Sequence, residues 1–99
     1  MRFFVYLVEC SDKTYYCGCT KDIRERLGRH NRGKAAKYTR ARLPVRLVYL
    51  ERKKSKGEAL KREAEIKSMS RKQKQEMVAG YVQARKNQSN KTALALTKH

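Results

Sequence analysis

The chain has 99 residues, enough for one hydrophobic core and not for two. With 26 Lys and Arg against nine Asp and Glu it carries a net charge of +17, while a hydrophobic content of 39% still permits a globular fold. That balance points to nucleic acid or another acidic surface as partner; the shortness of the apolar runs makes a membrane the lesser expectation. The one strong apolar run, residues 3–8, ends at Glu9 and Cys10. It is far shorter than a spanning helix or a signal-peptide core, so a cytoplasmic protein is expected.

Residues 2–10 are rich in aromatic and β-branched side chains and predict a strand. Ser11-Asp12-Lys13 makes a turn, and residues 14–19 return as a second strand, completing a hairpin. A three-residue loop sets Cys10 opposite Thr14 and puts Tyr6 and Tyr16 on one face in diagonal register. Thr20 is the expected N-cap of a helix with Asp22 in its first turn, Ile23 and Leu27 on its inward stripe, and an end near Asn31, just before Gly33. Arg26 and His30 form an i, i+4 pair flanking that stripe.

A basic connection over residues 34–42 leads through Leu43 and Pro44 to a third strand at residues 45–51. Ser55 with Glu58, and then Ser70 with Gln73, have the spacing of capping boxes that open two further helices. The second of these carries Met77, Val78 and Tyr81. The chain from residue 83 to 99 is polar and is expected to be a mobile basic tail outside a domain of residues 1–82. The order β-β-α-β-α-α predicts an α+β fold, a small three-stranded antiparallel sheet flanked by helices.

Glu63 is conspicuous within this pattern. The helix over residues 55–69 has Ala59, Leu60, Ile66 and Met69 as its expected inward face, and Glu63 falls in the middle of it. A carboxylate there needs an ionic partner, a cation or the floor of a cleft, because desolvating it alone costs several kcal/mol. In a cationic chain it suggests a metal-assisted site acting on a polyanion; pairing with an Arg or edge exposure are the plainer readings.

Cys10, Cys17 and Cys19 are an odd number, which disfavours a disulfide framework. A zinc site with His30 would require ligands from an atypically close Cys-x-Cys pair, so small thiols buried in strands are the better reading.

Val5-Tyr6-Leu7, then Tyr16-Cys17-Gly18, then Thr20-x-Asp22-Ile23-x-x-Arg26-x-x-x-His30 together resemble the GIY-YIG nuclease superfamily. The similarity continues through Tyr38-Thr39-Arg40, residues 44–49 and residues 59–67, and is strongest to the small stand-alone members. It implies that Tyr6 and Tyr16 are the two signature tyrosines and that Gly18 is the glycine closing the second motif. Arg26 and His30 match the family's helix residues, and Glu63 its metal-binding glutamate. The chain departs from the pattern at Phe4 and Val5, which replace the glycine and isoleucine of the first motif, and at Cys17, which replaces the isoleucine of the second.

The resemblance implies a DNA endonuclease using one divalent cation, Mg²⁺ or Mn²⁺, held by Glu63, with branched or flapped DNA among its candidate substrates. The residue chemistry agrees. Phosphodiester hydrolysis requires a positioned water, neutralisation of a pentavalent transition state and support for the leaving oxygen. Arg26 can give charge-assisted hydrogen bonds to phosphate oxygens. Tyr6 is the first candidate to take the proton of the water, on condition that nearby cations lower its pKa from about 10; Tyr16 and His30 are alternatives. Lys34, Lys37, Arg40 and Arg42 read as a phosphate-binding loop, with Tyr38 placed to stack on a base. The competing functional reading is a DNA- or RNA-binding module without catalysis, in which these tyrosines pack, Arg26 is solvated and Gly18 marks a close backbone approach. Neither reading includes a long reader segment, which leaves specificity to substrate shape or to a protein partner.

Overall fold

The hairpin at the start of the chain sets the architecture. In the computed structural model, which describes residues 2–97 and the side chains of residues 2–86, β1 (Phe3–Glu9) pairs antiparallel with β2 (Tyr15–Thr20). β1 also pairs antiparallel with β3 (Arg46–Lys53), giving a three-stranded sheet of order β2-β1-β3. The three-residue loop closes as expected: Cys10 N–H donates to the Thr14 carbonyl at 2.8 Å, and Lys13 takes a positive φ of 69°. Tyr6 then lies opposite Gly18 and Val8 opposite Tyr16, so the two tyrosines share a face diagonally.

Each face of the sheet carries its own core. Val5, Leu7 and Cys17 pack with Val48, Ala59 and Ile66 on one side. Tyr6, Val8, Cys10 and Val45 pack with Tyr16, Ile23 and Leu27 on the other. A register shift at Leu7/Val8 breaks the alternation of β3, which is why the neighbours Val48 and Tyr49 both serve the first core.

Helix α1 (Ile23–Asn31) covers the Tyr6 face. Its N-cap is Asp22, whose side chain accepts from Glu25 N–H at 3.1 Å; Thr20 sits two residues earlier and accepts from Asp22 N–H at 3.2 Å instead. The cap expected at Thr20 is therefore displaced to the better-placed carboxylate. At the other end Gly33 takes φ 73° and Lys34 N–H donates to the Arg29 carbonyl, a left-handed stop that Gly adopts without strain. Asn31 reaches past this end and pairs both polar atoms of its amide with the backbone of Val45, at 3.1 and 2.8 Å.

The basic connection contains one helical turn, α2 (Lys37–Arg40), too short to show a periodic pattern in the sequence. Helix α3 (Lys56–Lys67) and helix α4 (Arg71–Thr97) follow on the other face. Ser55 caps α3 by accepting from Glu58 N–H, and Ser70 with Gln73 forms a reciprocal capping box opening α4. Met77 and Val78 pack on the first core, and the Tyr81 ring meets Tyr49 at 5.3 Å. Helix α4 continues to Thr97, through most of the stretch expected as a mobile basic tail; residues 98 and 99 of that tail lie outside the described residues. No helix among the described residues is long and apolar enough to cross a membrane.

Candidate functional site

The inward face of α3 differs from the expected one. Leu60 is 46% exposed, and the buried positions are Ala59 and Ile66, with Arg62 and Glu63 half-buried between them. Long polar side chains can lie along the edge of a buried stripe, which moves the true inward face off Leu60. From this face α3 reaches both edges of the sheet. Arg62 Nε donates to Glu51 on β3 at 3.1 Å, where the Tyr49 hydroxyl also donates at 2.6 Å. Burial opposes ionisation of Glu51, but Lys53, Tyr49 and Arg62 together hold its carboxyl below the ordinary range.

Glu63 reaches the opposite edge. Its side chain is 18% exposed and pairs with Lys67 at 3.7 Å, so it is neither unpaired nor locked in a buried bridge. Its charge reaches Cys17 and Cys19 on β2: burial, then the Glu63 carboxylate, pushes both thiols up, Cys17 to about 11. Arg26 pulls the Cys19 thiol the other way. Charges of both signs, from helices on opposite faces of the sheet, thus act on Cys19 of the outer strand β2.

Behind that edge lies a buried polar cluster. The Tyr6 hydroxyl and His30 Nε2 are 2.8 Å apart, and His30 Nδ1 is 2.8 Å from the Thr39 hydroxyl. Tyr6 and His30 are each 1% exposed and Thr39 is fully enclosed. A Cβ at Gly18 would overlap the Tyr6 hydroxyl, so glycine is required by close approach. Tyr16, half-buried, sets its ring edge-on to His30 at 5.3 Å. Burial pushes the Tyr6 phenol up to about 12 against the opposing pull of Arg26, and the expected lowering by nearby cations does not prevail. Burial, then Arg26 and Arg29, depresses His30, which is therefore neutral at pH 7. Arg26 Nε is buried without a hydrogen-bond partner, a deficit of about 1–3 kcal/mol for an ordinary buried donor.

The basic loop divides in two. Lys34, Lys37 and Arg40 are exposed. Arg42 is committed: its Nε donates to Asp12 at 3.0 Å, one terminal nitrogen donates to the Tyr38 carbonyl at 2.8 Å, and its guanidinium covers the Tyr38 ring at 3.9 Å. The Tyr38 ring also stacks on Tyr16, centroids 6.2 Å apart and planes within 24°. Both partners of Tyr38 are thus internal: the ring braces Tyr16 while the residue remains 38% exposed. Thr39 and Asp12 escape a reading of the sequence because a hydroxyl in a basic run and an aspartate in a turn are unremarkable there.

One carboxylate suits a hard divalent cation held mainly by water and phosphate oxygens, and it does not suit an all-protein cage. Among the described residues no three His, Cys, Asp or Glu converge, and the zinc alternative has no ligand set: Cys10 and Cys17 belong to opposite cores.

Comparison with known proteins identifies the family. Residues 2–76 match the model of the GIY-YIG catalytic domain. A UPF0213 protein of Staphylococcus epidermidis is 52% identical over 77 residues, covering 78% of this chain and 94% of its own length. One of Staphylococcus aureus is 52% identical over 75 residues, covering 76% and 92%. The solution NMR structure of a UPF0213 protein from Bacillus halodurans superposes with a TM-score of 0.53 at 44% identity, covering 80% of this chain and 84% of that one. A second NMR structure, from E. faecalis, gives 0.57 at 35% identity, covering 82% and 86%. With a family match spanning most of its length and relatives of its own size, the chain belongs to the GIY-YIG nuclease superfamily, among its small single-domain members.

Proposed function

We propose that the protein is a divalent-metal-dependent endonuclease that hydrolyses phosphodiester bonds in DNA, with branched or flapped DNA as the substrate class to examine first. The observation that carries this reading is Arg26: a buried guanidinium nitrogen without a partner, beside a neutral tyrosine–histidine pair and across one strand edge from a carboxylate. A non-bridging phosphate oxygen would satisfy that donor and place the scissile bond within reach of both. Glu63 would hold Mg²⁺ or Mn²⁺, which when bound supplies charge neutralisation at the leaving oxygen.

The remaining work falls to the chain's own groups. Arg26 binds and orients the phosphate. Tyr16, the more exposed tyrosine, lies nearest the incoming water, while Tyr6 and His30 form the buried pair that takes up a proton. Lys34, Lys37 and Arg40 neutralise flanking phosphates, and Arg42 holds the loop in place. The domain of residues 1–82 would suffice for this chemistry, with the basic residues beyond it adding affinity, and a protein partner could supply specificity.

The enclosure of Tyr6 and His30, each 1% exposed, favours the competing reading, a DNA- or RNA-binding module in which the pair only braces the fold. Incubating the pure protein with labelled duplex, single-stranded and branched DNA, in Mg²⁺, Mn²⁺ or EDTA, separates the two. Metal-dependent cleavage is expected. Binding without cleavage in every metal would leave the module.

A further inference from the structure

The polar cluster is a chain of hydrogen bonds in which one polarity satisfies every group. The Thr39 hydroxyl lies 3.2 Å from the Ala36 carbonyl and donates to it. With its proton on that carbonyl, the Thr39 oxygen offers a lone pair to its second neighbour, His30 Nδ1 at 2.8 Å. Nδ1 must then carry the imidazole proton, and Nε2 is left as an acceptor. The Tyr6 hydroxyl, 2.8 Å from Nε2, donates to it. At the far end the Tyr6 oxygen faces Arg26, whose guanidinium can only donate. In this polarity every group has one role, and the roles run from Arg26 through Tyr6, His30 and Thr39 to a main-chain carbonyl.

We infer that Thr39 is a positioning residue: it fixes His30 as the Nδ1–H tautomer and so commits the Tyr6 proton to His30 Nε2, leaving the Tyr6 oxygen, beside Arg26, one lone pair for a proton from outside the cluster. Its catalytic consequence rests on the nuclease reading; the tautomer itself does not. The proton balance is simple. When the Tyr6 oxygen gains a proton from water, its original proton passes to Nε2, and the resulting imidazolium keeps its Nδ1–H on Thr39. In the opposite tautomer Nε2 would carry the proton, the Tyr6 oxygen would have to accept it, and the relay would be closed. The groups facing His30 are Tyr6 from β1, Tyr16 from β2, Arg26 and Arg29 from its own helix and Thr39 from α2, none of which offers Nδ1 a better acceptor.

The test is histidine nitrogen NMR on the ¹⁵N-labelled full chain, with His30 assigned against the single other histidine, His99. Wild type should show a protonated Nδ1 and an unprotonated Nε2. Thr39→Val, which keeps the shape and removes the hydroxyl, should lose that preference, and Thr39→Ser should restore it. In the cleavage assay Thr39→Val should lower kcat by roughly 10²-fold or more, with KM unchanged, and Thr39→Ser should recover it. A wild-type His30 protonated at Nε2, or a tautomer unmoved by Thr39→Val, overturns the inference. Should Thr39→Val fail to fold, the wild-type spectrum still decides. If the tautomer responds as stated while wild type cuts no DNA, the nuclease reading is what fails.

Discussion

Gly18 stands directly across the strand pair from Tyr6, and the space a side chain would take there is filled by the Tyr6 hydroxyl. The close approach fixes where the phenol oxygen lies against His30 and Arg26. Gly18→Ala should therefore push the Tyr6 ring aside and break its contact with His30. Cleavage should fall by about 10²- to 10⁴-fold, with a stability cost of roughly 1–3 kcal/mol from overpacking. Tyr6→Phe is the companion: it should lose comparable activity and retain the fold. Wild-type cleavage by either variant would return Tyr6 to a packing role.

Substitution of Glu63 is expected to separate catalysis from binding. Its pair with Lys67 is an i, i+4 contact at 3.7 Å with a half-exposed lysine, worth about 0.3–0.5 kcal/mol. Glu63→Gln should therefore shift thermal stability little, abolish metal-dependent cleavage and bind DNA at least as tightly as wild type. A loss of several kcal/mol, measured by melting in EDTA, would show that the carboxylate is a structural element.

The titration of the buried pair gives a pH signature. His30 is depressed below its usual 6.5, so in the window below that value the unfolded chain binds more protons than the folded one. The stability this group contributes is present above pH 6.5 and is lost as pH falls through the depressed value. Tyr6 runs the other way: its contribution is intact below pH 10 and is lost as pH rises towards about 12. Cleavage should rise with pH through the titration of His30 and then stay level to pH 9. A fall between pH 7 and 9 in the wild type would argue against a neutral tyrosine acting with a neutral histidine.

Lys34, Lys37 and Arg40 offer a binding test that leaves the braced Arg42 intact. Changing all three to Ala should reduce the slope of log K against log salt by roughly 2 to 3 and weaken every sequence alike. Arg42→Ala should behave differently, lowering kcat as well because it uncovers Tyr38 and frees Tyr16. An unchanged salt slope in the triple variant would remove the loop from the interface.

The parts of this protein legible in its sequence are those governed by local rules. Loop length fixed the hairpin, and with it the shared face of Tyr6 and Tyr16; serine with glutamate or glutamine at the right spacing marked the starts of α3 and α4. The illegible parts depend on which of two similar groups wins a contact. Asp22 caps α1 where Thr20 could have done so, and Leu60 turns outward because Arg62 and Glu63 occupy the flanks of Ala59 and Ile66. Arg42 reads as one more cation in a basic run, yet Asp12, thirty positions away, claims it. Tyr38 was legible as an aromatic among charges; its partners were not.

The charges of the candidate site come together around the rim of β2, an outer strand of the sheet, with Arg26 supplied over one face and Glu63 over the other. Such a site lies along a strand edge. A rigid double helix can be brought up to it broadside, without threading or base extrusion, and the reacting phosphate would stay in contact with bulk water. On the nuclease reading, such a rim would select by the angle at which a sugar–phosphate chain passes it, which a junction or a displaced strand would change more than any base sequence would.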